Sequence, residues 1–332
     1  MASSAAALEQ AWYRGAWWLW FLRPLEFIFR LVVAARRLLF KMGLLASYKT
    51  EKPLVVVGNI TVGGTGKTPV VMALVEHLQS IGFKPGVVSR GYGSSAGVFP
   101  HRVSDTSTAA DCGDEALQLF LRTGCPCVVA PRRADAVKAL LRQAQVDVIL
   151  SDDGLQHYAL DRDMEIVVLD AERGVGNGFC LPAGPLREPQ SRLCEVDHVL
   201  YRGSTDTDKG FVYLPLALVN LASGEHRSVT PQALQTQVYA VAGIGQPQQF
   251  LDSLTNAGFK AQAHIFKDHH SFVPEDFSTL TSKPIVMTEK DAVKCADFAD
   301  ENFWYLKIEA QLPYTLLQSV AALIKNDQET LV

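Results

Sequence analysis

Short apolar runs alternate with segments of helical periodicity over most of the first two thirds of the chain. The runs are mostly apolar and rich in valine, and they lie at residues 54–57, 85–89, 127–130, 146–151, 165–170 and 197–201. Runs of this kind are typical of parallel strands covered on both faces. Helical patterns at 70–80 and 132–144 lie between them. The alternation predicts a doubly wound α/β domain.

A shift to polar composition around residues 203–210 marks the end of this domain. Beyond it, helical patterns at 247–257 and 313–325 alternate with apolar strands at 237–242, 261–266, 284–288 and 303–308. This pattern predicts a second, smaller α/β domain. We expect the domains to be ordered as a distinct segment at 1–50, the doubly wound domain at 51–210, a hinge region at 211–225 and the smaller domain at 226–332.

Residues 1–50 interleave aromatic side chains with arginines. Their apolar runs are far shorter than the ~20 residues that a spanning helix needs. Aromatic and arginine side chains in this mixture suit an amphipathic helix lying in the headgroup region of a membrane. A hydrophobic helix packed on the protein's own body is the other interpretation, and the two can coexist. The aromatic residues are Trp12, Tyr13, Trp17, Trp18, Trp20, Phe21, Phe27 and Phe29.

The segment 53–69, PLVVVGNITVGGTGKTP, joins the first predicted strand to the first predicted helix through a glycine-rich turn. Such a turn lets consecutive backbone N–H groups surround a phosphate at a helix N-terminus. Lys67 would reach the β- and γ-phosphates, and the Thr68 hydroxyl would bind Mg²⁺. The general consensus for this loop has glycine where this chain has Thr61. The turn predicts a nucleotide phosphate site that consists of Gly63, Gly64, Thr65 and Gly66.

Acidic residues stand at two positions that suit metal or proton chemistry. Strand 146–151 ends in Asp152 and Asp153, and adjacent carboxylates beside a phosphate loop are costly unless a cation neutralises them. The pair is therefore expected to hold Mg²⁺. Asp114 and Glu115 open a helical pattern, where acids also favour a helix start. Glu115 is a further candidate metal ligand.

Composition excludes some classes of function. The formal net charge of −4 gives no reason to expect nucleic-acid binding through overall basicity. The six cysteines have no zinc-finger spacing, and a nucleotide motif favours a reducing cytosol as the compartment.

Seven segments taken together resemble the tetraacyldisaccharide 4′-kinase family of lipid A synthesis. They occur in the family's order and span most of the chain. They are VVVGNITVGGTGKTPVV (55–71), VVSRGYG (87–93), GDE (113–115), DDGLQH (152–157), NGFCLPAGPLRE (177–188), DHH (268–270) and MTEKDAVK (287–294).

The resemblance implies a Mg²⁺-dependent kinase that transfers the ATP γ-phosphoryl group to the 4′-hydroxyl of an acylated glucosamine disaccharide phosphate lipid. Its product would be the lipid A precursor lipid IVA of lipopolysaccharide biosynthesis. The enzyme would act at the cytoplasmic face of the bacterial inner membrane, peripheral or monotopic, in contact with inner-membrane lipids and with no protein partner implied. We expect the nucleotide at the carboxyl ends of the strands between two domains that close on ATP.

The resemblance also implies that Asp114 and His269 work as a pair, with Asp114 nearest the acceptor hydroxyl and His269 tuning it. From the residues alone, a solvent-facing loop histidine is the favoured interpretation of His269, and the resemblance reverses that preference. The adjacent His270 is a competing candidate. Arg90 and Arg187 could contact phosphate of the acceptor or of the nucleotide, because a guanidinium matches phosphate bidentately.

Two other classes of function compete with the kinase hypothesis. Membrane-associated P-loop ATPases of the partitioning and division-site class have a related loop with a signature lysine where this chain has Val62. The absence of that lysine counts against them. A non-enzymatic nucleotide-binding scaffold would not need Asp114, Asp152, Asp153 and His269 together.

Overall fold

The computed structural model describes residues 4–95 and 97–330 and has a mixed α/β architecture. The α-helices are α1 (Ser4–Arg14), α2 (Arg23–Lys41), α3 (Lys67–Ser80), α4 (Ala109–Cys112), α5 (Asp114–Thr123), α6 (Arg133–Gln143), α7 (Pro247–Asn256), α8 (Glu289–Ala292) and α9 (Tyr314–Thr330). Short 3₁₀ helices lie at Trp17–Leu22, Gln190–Cys194 and Pro274–Phe277.

The strands are mostly short and mostly parallel, as the apolar runs predict. They are β1 (Leu54–Gly58), β2 (Pro85–Ser89), β3 (His101–Arg102), β4 (Cys127–Val129), β5 (Val148–Asp152), β6 (Met164–Asp170), β7 (His198–Arg202), β8 (Gly210–Asn220), β9 (His226–Arg227), β10 (Gln237–Ala242), β11 (Lys260–Ile265), β12 (Ile285–Thr288) and β13 (Phe303–Gln311).

The described residues divide into two compact units. The first holds the chain up to Arg90, Arg132–Val212 and the residues from Leu312 onwards, and the second holds Gly91–Pro131 and Tyr213–Gln311. This grouping differs from the ranges expected from the sequence, because the chain passes between the units more than once. Local periodicity does not report such crossings. The ends of the expected ranges, 1–3 and 331–332, lie outside the described residues.

The sheet of the first unit determines where the site lies. Its parallel strands follow the order β7-β6-β1-β5-β2, with β1 in the middle. All five residues of β1 are buried, as expected for a strand covered on both faces. The register places Val57 of β1 beside Asp152 of β5. The loop that follows β1 and the acids that end β5 therefore leave the same edge of the sheet.

The sheet of the second unit has parallel strands in the order β11-β10-β12-β13, and β8 lies next to β13. Alternate residues of β10 belong to two different apolar clusters. Val238 and Ala240 pack in one of them, and Tyr239 and Val241 pack in the other. Because strand side chains alternate between the faces, this sheet is also covered on both sides.

The expected hinge region at 211–225 is largely a strand. β8 covers Gly210–Asn220 and pairs with β9 in antiparallel register, Leu218 opposite Arg227. The segment FVYLPLALVN has the apolar and β-branched composition of a strand. Polar residues just before it suggested a connection here, and the chain does pass from the first unit to the second between Val212 and Tyr213, within this strand.

The N-terminal segment is helical and is tied to the first unit. The Trp12 indole N–H donates to the Pro182 carbonyl oxygen at 3.1 Å, and Arg173 forms an ion pair with Glu9 at 2.7 Å. Among the described residues, none of the helices combines the length and the apolar content needed to traverse a bilayer.

Substitution of Gly58 tests how tightly β1 is packed against the turn that follows β5. A Cβ atom at Gly58 would lie 2.5 Å from Leu155 Cβ and 3.1 Å from Leu155 N. We expect Gly58→Ala to lower the free energy of unfolding by about 1–3 kcal/mol, as overpacking of a core does. Chemical denaturation followed by circular dichroism measures this loss.

The matched control is Gly97→Ala, because a Cβ atom at Gly97 would meet nothing within 4 Å. We expect this control to change the free energy of unfolding by less than about 0.5 kcal/mol. Equal losses in the two variants would contradict the packing argument.

Candidate active site

The loop between β1 and α3 has the backbone geometry of an anion site. Gly66 precedes α3 directly and has φ 88° and ψ 29°, and Gly63 has φ 102°. These are left-handed conformations that side chains rarely tolerate, so glycine is needed at both positions. The first N–H groups of a helix have no partners within it, so those of α3 are available to an anion held by the loop. The entry to the loop is held by the Val62 N–H, which donates to the Pro185 carbonyl oxygen at 2.9 Å.

Four expected nucleotide and metal residues lie together at this edge of the sheet, with Arg187 beside them. The Thr68 hydroxyl donates to Asp152 Oδ2 at 3.0 Å, and both side chains are buried. Lys67 Nζ lies 3.5 Å from Asp153 Oδ1, and Arg187 Nη1 lies 3.5 Å from the same oxygen. Residues that are distant in the sequence thus form one cluster of oxygen donors and cations.

Asp153 is held in an unusual conformation and in its charged form. Its φ of 47° is left-handed, which for a residue other than glycine is a strain that tends to occur at functional sites. Burial by itself would raise the pKa of its carboxyl group. Lys67, Arg187 and Arg133 outweigh burial and hold that pKa below its ordinary value. Asp153 is therefore an anion at neutral pH.

Arg133 is a site residue that sequence reasoning missed. Its guanidinium is buried and donates through Nη2 to the carbonyl oxygens of Asp152, at 3.1 Å, and of Asp153, at 2.9 Å. Burial lowers the pKa of Arg133 to about 10, which still leaves it charged at neutral pH. The side chain fixes the turn that presents both carboxylates. An arginine at a helix start resembles many surface positions, so the pattern around it gave no signal.

A polar network below the phosphate loop was also missed. The Gln156 amide donates to the Asn59 carbonyl oxygen at 3.0 Å and to Glu188 Oε1 at 2.8 Å. The Tyr158 hydroxyl donates to the other oxygen of Glu188, a residue that is only 1% exposed. Gln156 and Glu188 lie inside two of the segments that carry the family resemblance. The motifs therefore contained these residues but did not indicate what they do.

A second set of expected residues lies in the second unit. Asp114 is the first residue of α5 and is buried, and its Oδ2 lies 2.9 Å from Nδ1 of His269. His269 has a left-handed backbone with φ 58°, and its ring lies 5.1 Å from that of Tyr92. Gly113 precedes Asp114 with φ 87°, and a Cβ atom there would lie 2.6 Å from the Tyr92 carbonyl oxygen.

His269, and not His270, faces Asp114. The His270 ring nitrogen Nε2 pairs instead with Asp276 Oδ2 at 2.9 Å, and its ring stacks on Phe266 with 4.6 Å between the centroids. Of the two histidines that the sequence left open, the structure therefore brings His269 into contact with the carboxylate.

The charges around Asp114 favour its ionised form. Burial would raise the pKa of Asp114, but His269, Lys290 and Lys294 outweigh burial and lower it. The hydrogen bond to Asp114 raises the pKa of His269, against burial and the nearby Lys290 ammonium. The geometry therefore provides a carboxylate that stays anionic and an imidazole oriented against it.

The remaining expected residues are placed as follows. Glu115 lies in the second unit, where its Oε1 is 2.9 Å from Lys290 Nζ. The other expected metal ligands, Thr68, Asp152 and Asp153, lie in the first unit. Arg90 directly follows β2 and its side chain is exposed.

Comparisons with known proteins agree with the resemblance. The family model for tetraacyldisaccharide-1-P 4′-kinase matches residues 18–325. The tetraacyldisaccharide 4′-kinase of Pseudomonas fluorescens strain Pf-5 is 51% identical over 307 residues, which cover 92% of this chain and 91% of that protein. The tetraacyldisaccharide 4′-kinase of Pseudomonas putida strain GB-1 is 49% identical over 311 residues, which cover 92% of this chain and 93% of that protein.

A solved structure has the same fold. The crystal structure of LpxK from Aquifex aeolicus in complex with ATP superposes with a TM-score of 0.76 at 25% sequence identity, and the match covers 92% of this chain and 99% of that one. The match of the family model and the identity to the Pseudomonas proteins both extend over nearly the whole chain. The chain therefore belongs to the tetraacyldisaccharide 4′-kinase family.

Proposed function

We propose that this chain transfers the γ-phosphoryl group of ATP to the 4′-hydroxyl of tetraacyldisaccharide 1-phosphate, giving the 4′-phosphorylated lipid A precursor. The observation that carries the proposal is a phosphate loop with its strand-end acids, present together with a buried carboxylate–imidazole pair in a chain of this family. The complex of the Aquifex aeolicus protein with ATP supports the choice of nucleotide. The comparisons do not support the alternative of a partitioning ATPase.

The phosphate loop would bind the nucleotide. The backbone N–H groups of Gly63, Gly64, Thr65 and Gly66 would surround the phosphates, and the first turn of α3 would add its favourable dipole. Lys67, whose ammonium reaches Asp153 Oδ1, would turn to the β- and γ-phosphates. Arg187 lies on the same carboxylate and is positioned to meet a phosphate of the nucleotide or of the acceptor.

The donor atoms beside the loop fit Mg²⁺. A threonine hydroxyl and aspartate oxygens are hard ligands, which Mg²⁺ prefers, and Thr68, Asp152 and Asp153 would hold it. When bound, the ion neutralises charge that develops on the β- and γ-phosphate oxygens. We leave Glu115 out of this set, because Lys290 engages its carboxylate in the second unit.

Asp114 would accept the proton of the attacking hydroxyl. As the 4′-oxygen bonds to the γ-phosphorus, the bond to the β–γ bridging oxygen breaks and the hydroxyl proton moves to the Asp114 carboxylate. His269 would hold that carboxylate in place through the 2.9 Å contact between Nδ1 and Oδ2. Phosphoryl transfer depends mostly on positioning and charge stabilisation, so the spatial arrangement of Asp114 and His269 matters more than their intrinsic basicity.

Helix α2 would place the protein on the cytoplasmic face of the inner membrane. Among its charged residues, Glu26 is 2% exposed and lies 3.1 Å from Arg23 and 3.8 Å from Arg30. Many of its apolar side chains are exposed, whereas a helix on a water-soluble surface exposes mainly polar ones. Apolar surface of this extent marks an interaction site, and the lipid acceptor makes a bilayer the fitting partner. The exposed apolar residues of α2 include Leu25, Phe27, Ile28, Leu31 and Val32, and those of the 3₁₀ helix before it include Trp17, Trp20 and Phe21.

Lys67→Ala tests the nucleotide site. We expect this variant to lower the rate of phosphoryl transfer by about 10²–10³, as the removal of one preorganised charge partner does in comparable sites. The measurement is the transfer of label from γ-labelled ATP to the lipid disaccharide in detergent micelles.

The control for Lys67→Ala is Lys84→Ala, which removes an exposed lysine of the same unit. We expect the control to transfer label at the wild-type rate. A Lys67→Ala enzyme with a near-normal rate would remove the assignment, and a wild-type protein that labels no lipid would remove the proposed function.

A double-mutant cycle tests the carboxylate–imidazole pair. We expect Asp114→Asn and His269→Gln each to lower turnover at saturating ATP by about 10²–10⁴, and the double variant to lose little more than the worse of the two. The non-additivity follows because both residues act on one proton transfer. His270→Gln is the control, because its ring pairs with Asp276, and its loss should be small. Additive losses would show that the two residues act independently.

The double substitution Ile28→Asp with Leu31→Asp tests the membrane face of α2. Full burial of one large apolar side chain is worth about 1.5–3 kcal/mol, so we expect at least about tenfold weaker partitioning onto vesicles of anionic phospholipid. Co-sedimentation measures the bound fraction. Ile81→Asp, which changes an exposed apolar residue at the end of α3, should leave binding unchanged. Equal binding of all three proteins would refute this role for α2.

A further inference from the structure

Lys290 lies at the centre of the cluster that surrounds His269. Its ammonium nitrogen is 2.9 Å from Glu115 Oε1 and 3.4 Å from His269 Nε2. It also lies 3.7 Å from Asp268 Oδ1 and 3.9 Å from Asp114 Oδ2. The Lys290 ammonium therefore lies near His269 and near the three carboxylates around it. None of the roles proposed above uses Lys290.

The backbone that presents Lys290 is held by contacts of both neighbouring residues. Lys290 is the second residue of α8, and its neighbours in the chain are both buried. Glu289 forms an ion pair with Arg122 at 2.9 Å. Asp291 accepts hydrogen bonds from the Thr288 hydroxyl at 2.6 Å and from the Gly243 N–H at 2.8 Å. These bonds fix the first turn of α8 and with it the direction of the Lys290 side chain.

The chemistry of an ammonium group dictates which imidazole nitrogen carries the hydrogen. Lysine can only donate hydrogen bonds, so the Nε2 atom that faces Lys290 must present its lone pair. In the neutral ring the hydrogen then sits on Nδ1, which donates it to Asp114 Oδ2 at 2.9 Å. A neutral residue at position 290 would leave both tautomers available.

Lys290 also supplies the positive charge that this cluster requires. The ligand atoms of Asp114, Glu115 and His269 all lie within 4.8 Å of one another, a spacing that could otherwise hold a metal ion. The ammonium of Lys290 lies close to an atom of each of these residues, 2.9 Å from Glu115 Oε1, 3.4 Å from His269 Nε2 and 3.9 Å from Asp114 Oδ2. A second cation, the Lys294 ammonium, lies 2.7 Å from Asp291 Oδ1 and 3.9 Å from Asp114 Oδ2.

We infer that Lys290 is a positioning residue for the Asp114–His269 pair, which holds His269 as the Nδ1–H tautomer and directs that hydrogen to Asp114. Burial alone would lower the pKa of Lys290, but Glu115, Asp114 and Asp268 outweigh it and raise the pKa. The ammonium therefore stays charged over the working pH range. The effect of Lys290 on turnover rests on the proposed kinase function, whereas its effect on the His269 tautomer does not.

Nitrogen NMR of the full-length protein with ¹⁵N-labelled histidine tests the tautomer directly. His269→Gln identifies the resonances of His269. We expect the wild type and Lys290→Arg to show a protonated Nδ1 and an unprotonated Nε2 at an alkaline pH, where titration of the same resonances shows the ring to be neutral. We expect Lys290→Met to lose that preference. A wild type with hydrogen on Nε2, or a Lys290→Met protein with an unchanged tautomer, would overturn the inference.

Steady-state kinetics tests the consequence. We expect Lys290→Met to lower kcat for transfer to the lipid disaccharide by about 10–10²-fold, the lower part of the range for general base catalysis, with the KM for ATP within about twofold. Lys290→Arg, which keeps the charge, should recover part of kcat. Lys260→Met, at an exposed position of β11 in the same unit, should behave as the wild type.

The outcomes separate the inference from the proposed function. A wild type that transfers no phosphoryl group to the lipid removes the proposed function, and the NMR result then decides the tautomer alone. An active wild type with an equally active Lys290→Met removes the inference. Thermal denaturation checks that each variant folds. If Lys290→Met does not unfold cooperatively, Lys290→Ala takes its place with the same expected losses.

Discussion

Buried carboxyl groups that need polar partners are the constraint on which both candidate sites depend. Asp152 and Asp114 are nearly inaccessible to water, and a buried carboxyl group is stable only when hydrogen-bond donors or cations surround it. The chain meets this need in two ways. Arg133 donates to the backbone around Asp152, and Lys290 and Lys294 face Asp114 directly. Removing one partner of such a group costs more than the pair contributes, so these cations are as important to the fold as to chemistry.

The same constraint explains where the backbone is strained. Asp153 and His269 are the non-glycine residues with left-handed φ among the described residues, and each belongs to one of the two sets. Such conformations cost about 1–3 kcal/mol each and persist where the surroundings impose them. At Asp153 the imposing contacts are those of Arg133 to the turn. At His269 the imposing contact is the backbone bond from its N–H to the Gly243 carbonyl oxygen at 3.1 Å.

Local sequence patterns predicted the strand and the loop whose conformations depend on their own residues. The run at 54–57 predicted β1 because a strand covered on both faces has no polar positions, and the glycine turn predicted the loop because its geometry requires glycine. The motifs that carry the family resemblance added His269. Lys290 stands inside one of those motifs, the segment 287–294, but its role and that of Arg133 come from partners that only the tertiary fold brings near. The strand β8 was missed for a simpler reason, since polar residues before it obscured an apolar run.

One loop of the first unit connects helix α2 with the phosphate loop, and this connection gives the two proposals a common physical basis. Glu26 of α2, buried beneath its two arginines, accepts a hydrogen bond from the Cys180 N–H at 3.2 Å. A few residues later in the same loop, the Arg187 N–H donates to the Ile60 carbonyl oxygen at 2.6 Å, at the entry to the phosphate loop. The Arg187 side chain then reaches Asp153. A helix that holds this loop through Glu26 and exposes many apolar side chains thus links the surface proposed to meet lipid to the arginine proposed to meet phosphate.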